Sequence, residues 1–186
     1  MKMHLEKTYE IPGSNDPVKT CEDICIRDES TAIDAYKVLG ATAEVIKREV
    51  SGDQLQIDLR VHPNRESVPS VIGSLIGYDA LDYVQKTTYD FQTHTGVMET
   101  LMTHPTMSDK VTSKGSFNLR DNAPFAPRTV TWTLDVDVDA HVWPISSIVE
   151  HTIISELKAR TSIVEDFNQT LINQKINGVL ETSNAA

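Results

Sequence analysis

The chain has 186 residues, of which 39% are hydrophobic and 24% charged, and these values predict one compact globular domain. They exclude a disordered chain, which would be poorer in apolar residues. Because 27 Asp and Glu against 17 Lys and Arg give a net charge of −10, we expect no nucleic-acid partner, which would require clustered basic residues.

The chain shows no targeting or membrane-spanning pattern. No apolar run approaches the roughly 20 residues that a membrane-spanning helix needs. Met1 to Glu10 mixes charged with apolar residues and lacks the apolar stretch of a secretory signal. We therefore expect a soluble, intracellular protein.

The cysteines and histidines form no metal-binding pattern. Cys21 and Cys25 lie four residues apart, but no second pair and no closely spaced His completes a zinc set. The six His residues are scattered, and no HExxH spacing occurs. We predict two free thiols, no metal and no cofactor.

The first third of the chain predicts a strand, two short helices and a hairpin. Apolar and polar residues alternate from Met3 to Ile11, which is typical of a strand. Apolar residues spaced three and four apart from Val18 to Leu39 predict short helices, broken near Asp28 to Ser30. A period of two follows from Ala43, and Ser51-Gly52-Asp53 predicts the hairpin turn.

An apolar insert interrupts the strands after this hairpin. Its apolar residues are Val68, Val71, Ile72, Leu75 and Ile76. A segment of this kind can plug one end of a core, or it can serve as a lid that offers apolar side chains to a lipid or a membrane. Both interpretations stay open at this point.

The second half predicts four more strands and a long helix. The strands are Tyr83 to Phe91, Val97 to His104, Lys110 to Leu119 and Thr129 to Val142. In the last of them Asp135, Asp137 and Asp139 share a face that we interpret as solvated. Ser147 and Glu150 form a capping box, and the helical pattern continues to about Ile176.

This order of elements predicts an α+β fold. A curved antiparallel sheet of about seven strands would wrap on the long C-terminal helix. Residues 1–176 would form a single domain, and residues 177–186 a flexible C-terminal tail. The space between sheet and helix would hold either a packed core or a cavity.

The chain resembles the START-like (SRPBCC) superfamily, whose members have this helix-grip order and enclose hydrophobic ligands between sheet and helix. The segments Ser67-Val68-Pro69-Ser70-Val71-Ile72-Gly73-Ser74-Leu75-Ile76-Gly77, Leu81-Asp82-Tyr83-Val84-Gln85 and Gly96-Val97-Met98-Glu99-Thr100 are similar to those of PRELI-like phospholipid-transfer proteins. Pro144-Ile145 to Glu150, followed by Glu156-Leu157, resembles an uncharacterised bacterial branch. The first likeness implies the mitochondrial intermembrane space, and the second the cytoplasm.

The resemblance implies a non-enzymatic carrier of a hydrophobic ligand such as a phospholipid, with the insert as a lid and with transient membrane contact. Gln85, Thr87, Glu99 and Thr103 would supply polar points in the cavity. Arg60 and Arg65, near the lid, are the headgroup candidates. The candidate ligand-binding residues are Val68, Val71, Ile72, Leu75, Ile76, Tyr83, Tyr89, Phe91, Trp132, Leu134, Val136, Val138, Ile153, Leu157 and Val164.

Two alternatives remain. The first is a cyclase- or hydratase-like enzyme of the same superfamily, which would need a titratable group within reach of its substrate. Glu99 and His104 are candidates for that group, although no catalytic residue is assigned. The second alternative is an interaction module with a solid interior.

Overall fold

The computed structural model describes residues 1–67, 70, 73–74, 77–78, 81–105, 107–122, 128–142 and 146–183. A short 3-10 helix at Arg65–Ser67 follows the third strand. The elements in chain order are β1 (Lys2–Glu10), α1 (Pro17–Cys25), α2 (Glu29–Val38), β2 (Ala41–Ser51), β3 (Gln54–Pro63), β4 (Tyr83–Asp90), β5 (Thr95–Met102), β6 (Val111–Asp121), β7 (Thr129–Ala140) and α3 (Ser146–Ser183).

The seven strands form one antiparallel sheet in the order β1-β7-β6-β5-β4-β3-β2. Strands β2 to β7 follow one another as a meander, and β1 pairs with β7, the last strand. The helices α1 and α2 therefore carry the chain from one edge of the sheet to the other. The prediction of an α+β fold with about seven strands and a long C-terminal helix is confirmed.

Side-chain caps begin the two short helices that the sequence predicts. The carboxylate of Asp16 accepts a hydrogen bond from the backbone N–H of Lys19, and Pro17 occupies the first turn of α1. Asp28 caps α2 in the same way through the N–H of Ser30, at the predicted break. Gly52 adopts a φ of 59°, which suits the tight turn between β2 and β3.

Strand β7 has the predicted division between a buried and a solvated face. Leu134, Val136 and Val138 are buried, whereas the aspartates between them are more than half exposed. Helix α3 lies against the inner face of the sheet, where Val149 and Ile172 are fully buried. Burial of apolar side chains between these two layers supplies the main favourable contribution to folding.

The end of α3 and the start of β5 differ from the predictions. Helix α3 continues to Ser183 and has 38 residues, whereas the pattern predicts an end near Ile176 and a tail from 177. Strand β5 begins at Thr95 instead of Val97, so the preceding turn ends at His94. His94, the last residue of this turn, has a φ of 57°, a left-handed conformation.

Candidate ligand-binding cavities

Two cavities lie between the inner face of the sheet and α3. The larger one, of about 340 Å³, is bounded by α1, α2, α3 and the strands β3 to β7. The smaller one, of about 230 Å³, lies toward the beginning of α3, beside Val149 and Thr152. The walls of both are mostly apolar, as is usual for sites that bind small hydrophobic molecules.

Seven of the predicted ligand-binding residues lie in these walls. Tyr83 and Leu157 border both cavities. The other five divide between the larger cavity and the smaller one as follows: Trp132, Leu134 and Val164 border the larger, and Val138 and Ile153 border the smaller.

Three of the predicted ligand-binding residues lie instead in the packed core. Tyr89 and Phe91 meet edge to face at 5.0 Å between ring centroids, and Tyr89 stacks on Phe117 at 5.6 Å. These aromatic rings fill the space at this end of the sheet, so Tyr89 and Phe91 border neither cavity. Val136 belongs to the same core cluster. Strand periodicity places a residue on the inner face but does not tell core from cavity wall.

The five apolar residues of the predicted lid, Val68, Val71, Ile72, Leu75 and Ile76, lie outside the described residues. The two headgroup candidates are described and border neither cavity. The guanidinium of Arg60 forms an ion pair with Glu44 at 2.6 Å on the exposed side of β3. That of Arg65 lies 5.4 Å from the ring centroid of Tyr78.

Of the residues predicted to supply polar groups, those on β4 line a cavity and Glu99 on β5 does not. Gln85 and Thr87 line the larger cavity. Across the β4–β5 ladder Gln85 is opposite Thr100, and it is Thr100 that borders the smaller cavity. Glu99, one residue before Thr100, points to the other face of the sheet, where its carboxylate forms an ion pair of 3.1 Å with Lys114. Because successive side chains along a strand point to opposite faces, a prediction that is off by one residue assigns every side chain to the wrong face.

Thr103 and His104 also lie outside the cavity walls. The Thr103 hydroxyl donates a hydrogen bond of 3.0 Å to the backbone carbonyl of Asp82. His104 follows β5, and neither it nor Glu99 borders a cavity. The two titratable candidates of the enzyme alternative thus lie away from both cavities.

A polar junction stands between the two cavities. We use this name for Tyr36, Tyr83, Gln85 and Arg160, of which the last three border both spaces. The Tyr36 hydroxyl donates a hydrogen bond to Oε1 of Gln85. Arg160 directs Nε toward a carboxylate oxygen of Glu156 and Nη1 toward the carbonyl of Leu39, each at 3.4 Å.

Burial dominates the acid–base behaviour of the two tyrosines of the junction. It raises the pKa of Tyr83 to about 12, against the opposing effects of the neighbouring Tyr36 hydroxyl and the positive charge of Arg160. Burial also raises the pKa of Tyr36 well above its usual range. Both phenols are therefore neutral at physiological pH and act as hydrogen-bonding groups.

The two cysteines lie in the wall of the larger cavity and are free thiols, as predicted. The hydrogen bond from Cys21 to Cys25 and burial raise the pKa of the Cys21 thiol well above its usual value. Because the thiolate is the reactive form, Cys21 contributes an unreactive, weakly polar surface to the cavity.

A buried carboxylate beneath α1 escaped the sequence analysis. Glu22 is only 2% exposed, and its Oε1 accepts hydrogen bonds of 2.8 Å from the Tyr89 hydroxyl and from Nδ1 of His94. The group lies in the core beside the aromatic rings and borders neither cavity. We interpret it as a structural clasp between α1 and the β4–β5 hairpin.

Over the described ranges, no cluster of three or more His, Cys, Asp or Glu side chains is arranged to hold a metal ion. In the same part of the chain, no helix combines the length and the apolarity that crossing a bilayer would require.

No family model matches the chain, and no curated protein matches it. Solved structures do match. The protein TTHA0849 from Thermus thermophilus is similar at 7% identity, with a TM-score of 0.61 over 94% of this chain and 99% of that one. Ara h 8.0201 is similar at 10% identity, with a TM-score of 0.54 over 91% and 98% of the two chains.

A third structure, a conserved protein from Geobacillus kaustophilus, is similar at 13% identity and a TM-score of 0.51, over 94% of this chain and 96% of that one. All three alignments extend over nearly the whole of both chains. At these low identities the likeness concerns architecture. The chain has the helix-grip fold, a curved antiparallel sheet closed by a long C-terminal helix.

Proposed function

We propose that the protein binds a small hydrophobic molecule between its sheet and α3. The observation that carries this proposal is the larger cavity, of about 340 Å³, whose wall is apolar apart from a few polar groups. Ligand sites typically have volumes of about 300–1,000 Å³ and this kind of lining. A solid interaction module would not leave such a space beneath its longest helix.

Binding is favoured over catalysis by the polar groups that face the cavities. The pKa of Tyr83 is raised to about 12 and that of Tyr36 is also well above its usual range, so neither phenol suits proton transfer near neutral pH. The carboxylate of Glu156, which borders the smaller cavity, is engaged with Arg160. These groups suit orientation of a bound molecule better than acid–base chemistry.

The volumes favour a ligand with one acyl chain or a few fused rings. Cavities of about 230 and 340 Å³ are small for the two acyl chains and headgroup of a phospholipid. The phospholipid transfer that the PRELI-like resemblance implies is therefore the second candidate. Its support is the similarity of the segment from Ser67 to Gly77, which lies largely outside the described residues.

A fluorescent probe titration tests the proposal. N-phenyl-1-naphthylamine is a neutral aromatic amine that fluoresces strongly in apolar surroundings, and we expect it to bind the wild-type protein saturably with one-to-one stoichiometry. A Val164→Trp substitution would place a large ring in the wall of the larger cavity and should weaken probe binding at least about tenfold.

The neighbouring residue provides a matched control. Ile163 is 47% exposed on α3, so Ile163→Trp adds the same ring to the same helix outside the cavity and should leave probe affinity unchanged. Circular dichroism would establish that both variants keep their helix content. Absence of saturable probe binding by the wild type, or equal effects of the two substitutions, would contradict a cavity-binding function.

A further inference from the structure

The polar junction divides the apolar space beneath α3 into two. Its residues come from different elements: Tyr36 from α2, Tyr83 and Gln85 from β4, and Arg160 from α3. Because Tyr83, Gln85 and Arg160 border both cavities, a ligand that occupies both spaces must pass beside them. Burying polar groups among apolar walls is costly unless they find partners, and a polar atom of a ligand at the junction would add one.

The junction is rich in hydrogen-bond donors. Oε1 of Gln85 accepts from Tyr36, which leaves the amide nitrogen of Gln85 as the donor on that side chain. Among the residues that the structure describes, no acceptor contacts this nitrogen. Arg160 adds a guanidinium with five N–H groups, and its positive charge acts on the hydroxyl of the neighbouring Tyr83.

Two hydrogen bonds of Arg160 are long and replaceable. Those to Glu156 and to the carbonyl of Leu39 measure 3.4 Å, near the upper limit for a hydrogen bond, where about 2.9 Å is usual. The Glu156 side chain is 40% exposed, so a carboxylate already in contact with water can turn outward when a ligand arrives. The ligand's own carboxylate could then take the place of Glu156 on the guanidinium.

We infer that the junction selects an apolar carboxylic acid, with the ligand carboxylate bound by Arg160 and the Gln85 amide and its hydrocarbon part in the flanking cavities. This inference rests on the proposed function, because it specifies the chemistry of the molecule held there. An ionised carboxylate matches a guanidinium in both charge and shape, and such charge-assisted hydrogen bonds are about twice as strong as neutral ones. A neutral lipid of the same length would offer these donors at most an uncharged acceptor.

The test compares decanoate with 1-decanol as competitors for N-phenyl-1-naphthylamine at pH 7.5. The two molecules share a chain length and differ in the headgroup, so the ratio of their affinities reports the contribution of the carboxylate. Arg160→Gln should reduce decanoate affinity about tenfold or more and leave 1-decanol nearly unchanged. Lys158→Gln removes the same charge from an exposed position on α3 and should alter neither affinity.

Glu156→Gln gives a change of opposite sign. If the ligand competes with Glu156 for Arg160, removing the carboxylate should strengthen decanoate binding, by up to about fivefold for a partly exposed ion pair. A merely structural role of the pair would instead make this variant weaker or leave it unchanged. Gln85→Leu provides a second loss variant in case Arg160→Gln does not fold.

The outcomes separate this inference from the proposed function. Equal competition by decanoate and 1-decanol, or an affinity ratio unaltered by both Arg160→Gln and Gln85→Leu, would overturn the carboxylate assignment while probe binding still supports a cavity function. Absence of probe binding by the wild type would remove both. A decanoate preference that falls in the two loss variants and rises in Glu156→Gln would establish the assignment.

Discussion

Removing the Tyr89 hydroxyl tests the buried clasp of Glu22. Tyr89 is fully buried, and its hydroxyl donates a 2.8 Å hydrogen bond to the Glu22 carboxylate. Tyr89→Phe keeps the ring stacked on Phe117 and deletes one oxygen, so it leaves only a small gap. Hydrogen bonds to charged groups contribute about 1.5–3 kcal/mol, and we expect the free energy of unfolding to fall by about 2 kcal/mol.

Urea denaturation followed by circular dichroism would measure this loss, with an unchanged dependence on denaturant showing that only stability has altered. In a chain of this length the melting temperature should fall by about 4–8 °C. The matched background is Glu22→Gln, in which the same tyrosine faces a neutral amide. There Tyr89→Phe should cost only about 1 kcal/mol, because the hydrogen bond is no longer charge-assisted.

A loss below about 0.5 kcal/mol in the wild type would show that water replaces the tyrosine, and that the site is less enclosed than the structure indicates. An equal loss in both backgrounds would show that the charge of Glu22 does not strengthen the bond. Either result would refute the interpretation of Glu22 as a buried, charged clasp between α1 and the β4–β5 hairpin.

Two further predictions concern a glycine and a cap. Gly96→Ala would bring a Cβ within 2.2 Å of Cζ of Phe117, so thermal denaturation should show a loss of about 1–3 kcal/mol, whereas Gly178→Ala, with open space around it, should be neutral or slightly stabilising. A smaller loss at Gly96 than at Gly178 would contradict this. The hydrogen bonds from Lys175 and Ser30 lower the pKa of Asp28 to about 2, below the value of about 4 in an unfolded chain. The contribution of the Asp28 carboxylate to the free energy of unfolding is therefore complete above about pH 4 and is lost as the pH falls toward 2. Asp28→Asn should reduce stability at pH 7 by about 1 kcal/mol or less, and the difference from the wild type should shrink in acid. A difference that does not depend on pH would exclude the ion pair with Lys175 as its source.

The fold was predictable because its signals are local. Alternation along β7, the three-and-four spacing from Val18 to Leu39 and the turn at Gly52 each depend on residues close together in the chain. Ordered along the chain, these elements leave few arrangements other than a meander covered by one long helix. The end of α3 was missed because residues 177–183 continue the helix without an apolar stripe that periodicity could detect.

The cavity walls were predictable only in part, because a wall and a core present the same sequence pattern. Leu134 and Val136 belong to the same core cluster on one face of β7, but Trp132 and Leu134 also border the larger cavity, whereas Val136 borders neither cavity. What separates them is whether side chains from other elements fill the space opposite. At the far end of the sheet the rings of Tyr89 and Phe91 do so.

The groups to which we assign specificity and clasping depend on contacts between distant parts of the chain. Tyr36 and Gln85 are 49 residues apart, and Glu22 and Tyr89 are 67 apart. In sequence, Tyr36 and Glu22 are ordinary residues of two short helices, and nothing in their spacing marks either of them.

The order of the strands brings these two residues against other elements, because α1 and α2 must cross the inner face of the sheet to join β1 to β2 at opposite edges. A polar residue on the inner side of that crossing is therefore placed against the sheet, where it must find a partner or face a cavity. Glu22 has such partners in the hydroxyl of Tyr89 and the ring of His94. Tyr36 forms its hydrogen bond with Gln85, which borders both cavities. The crossing helices, and not the strands alone, therefore determine which polar groups a ligand in the proposed site would meet.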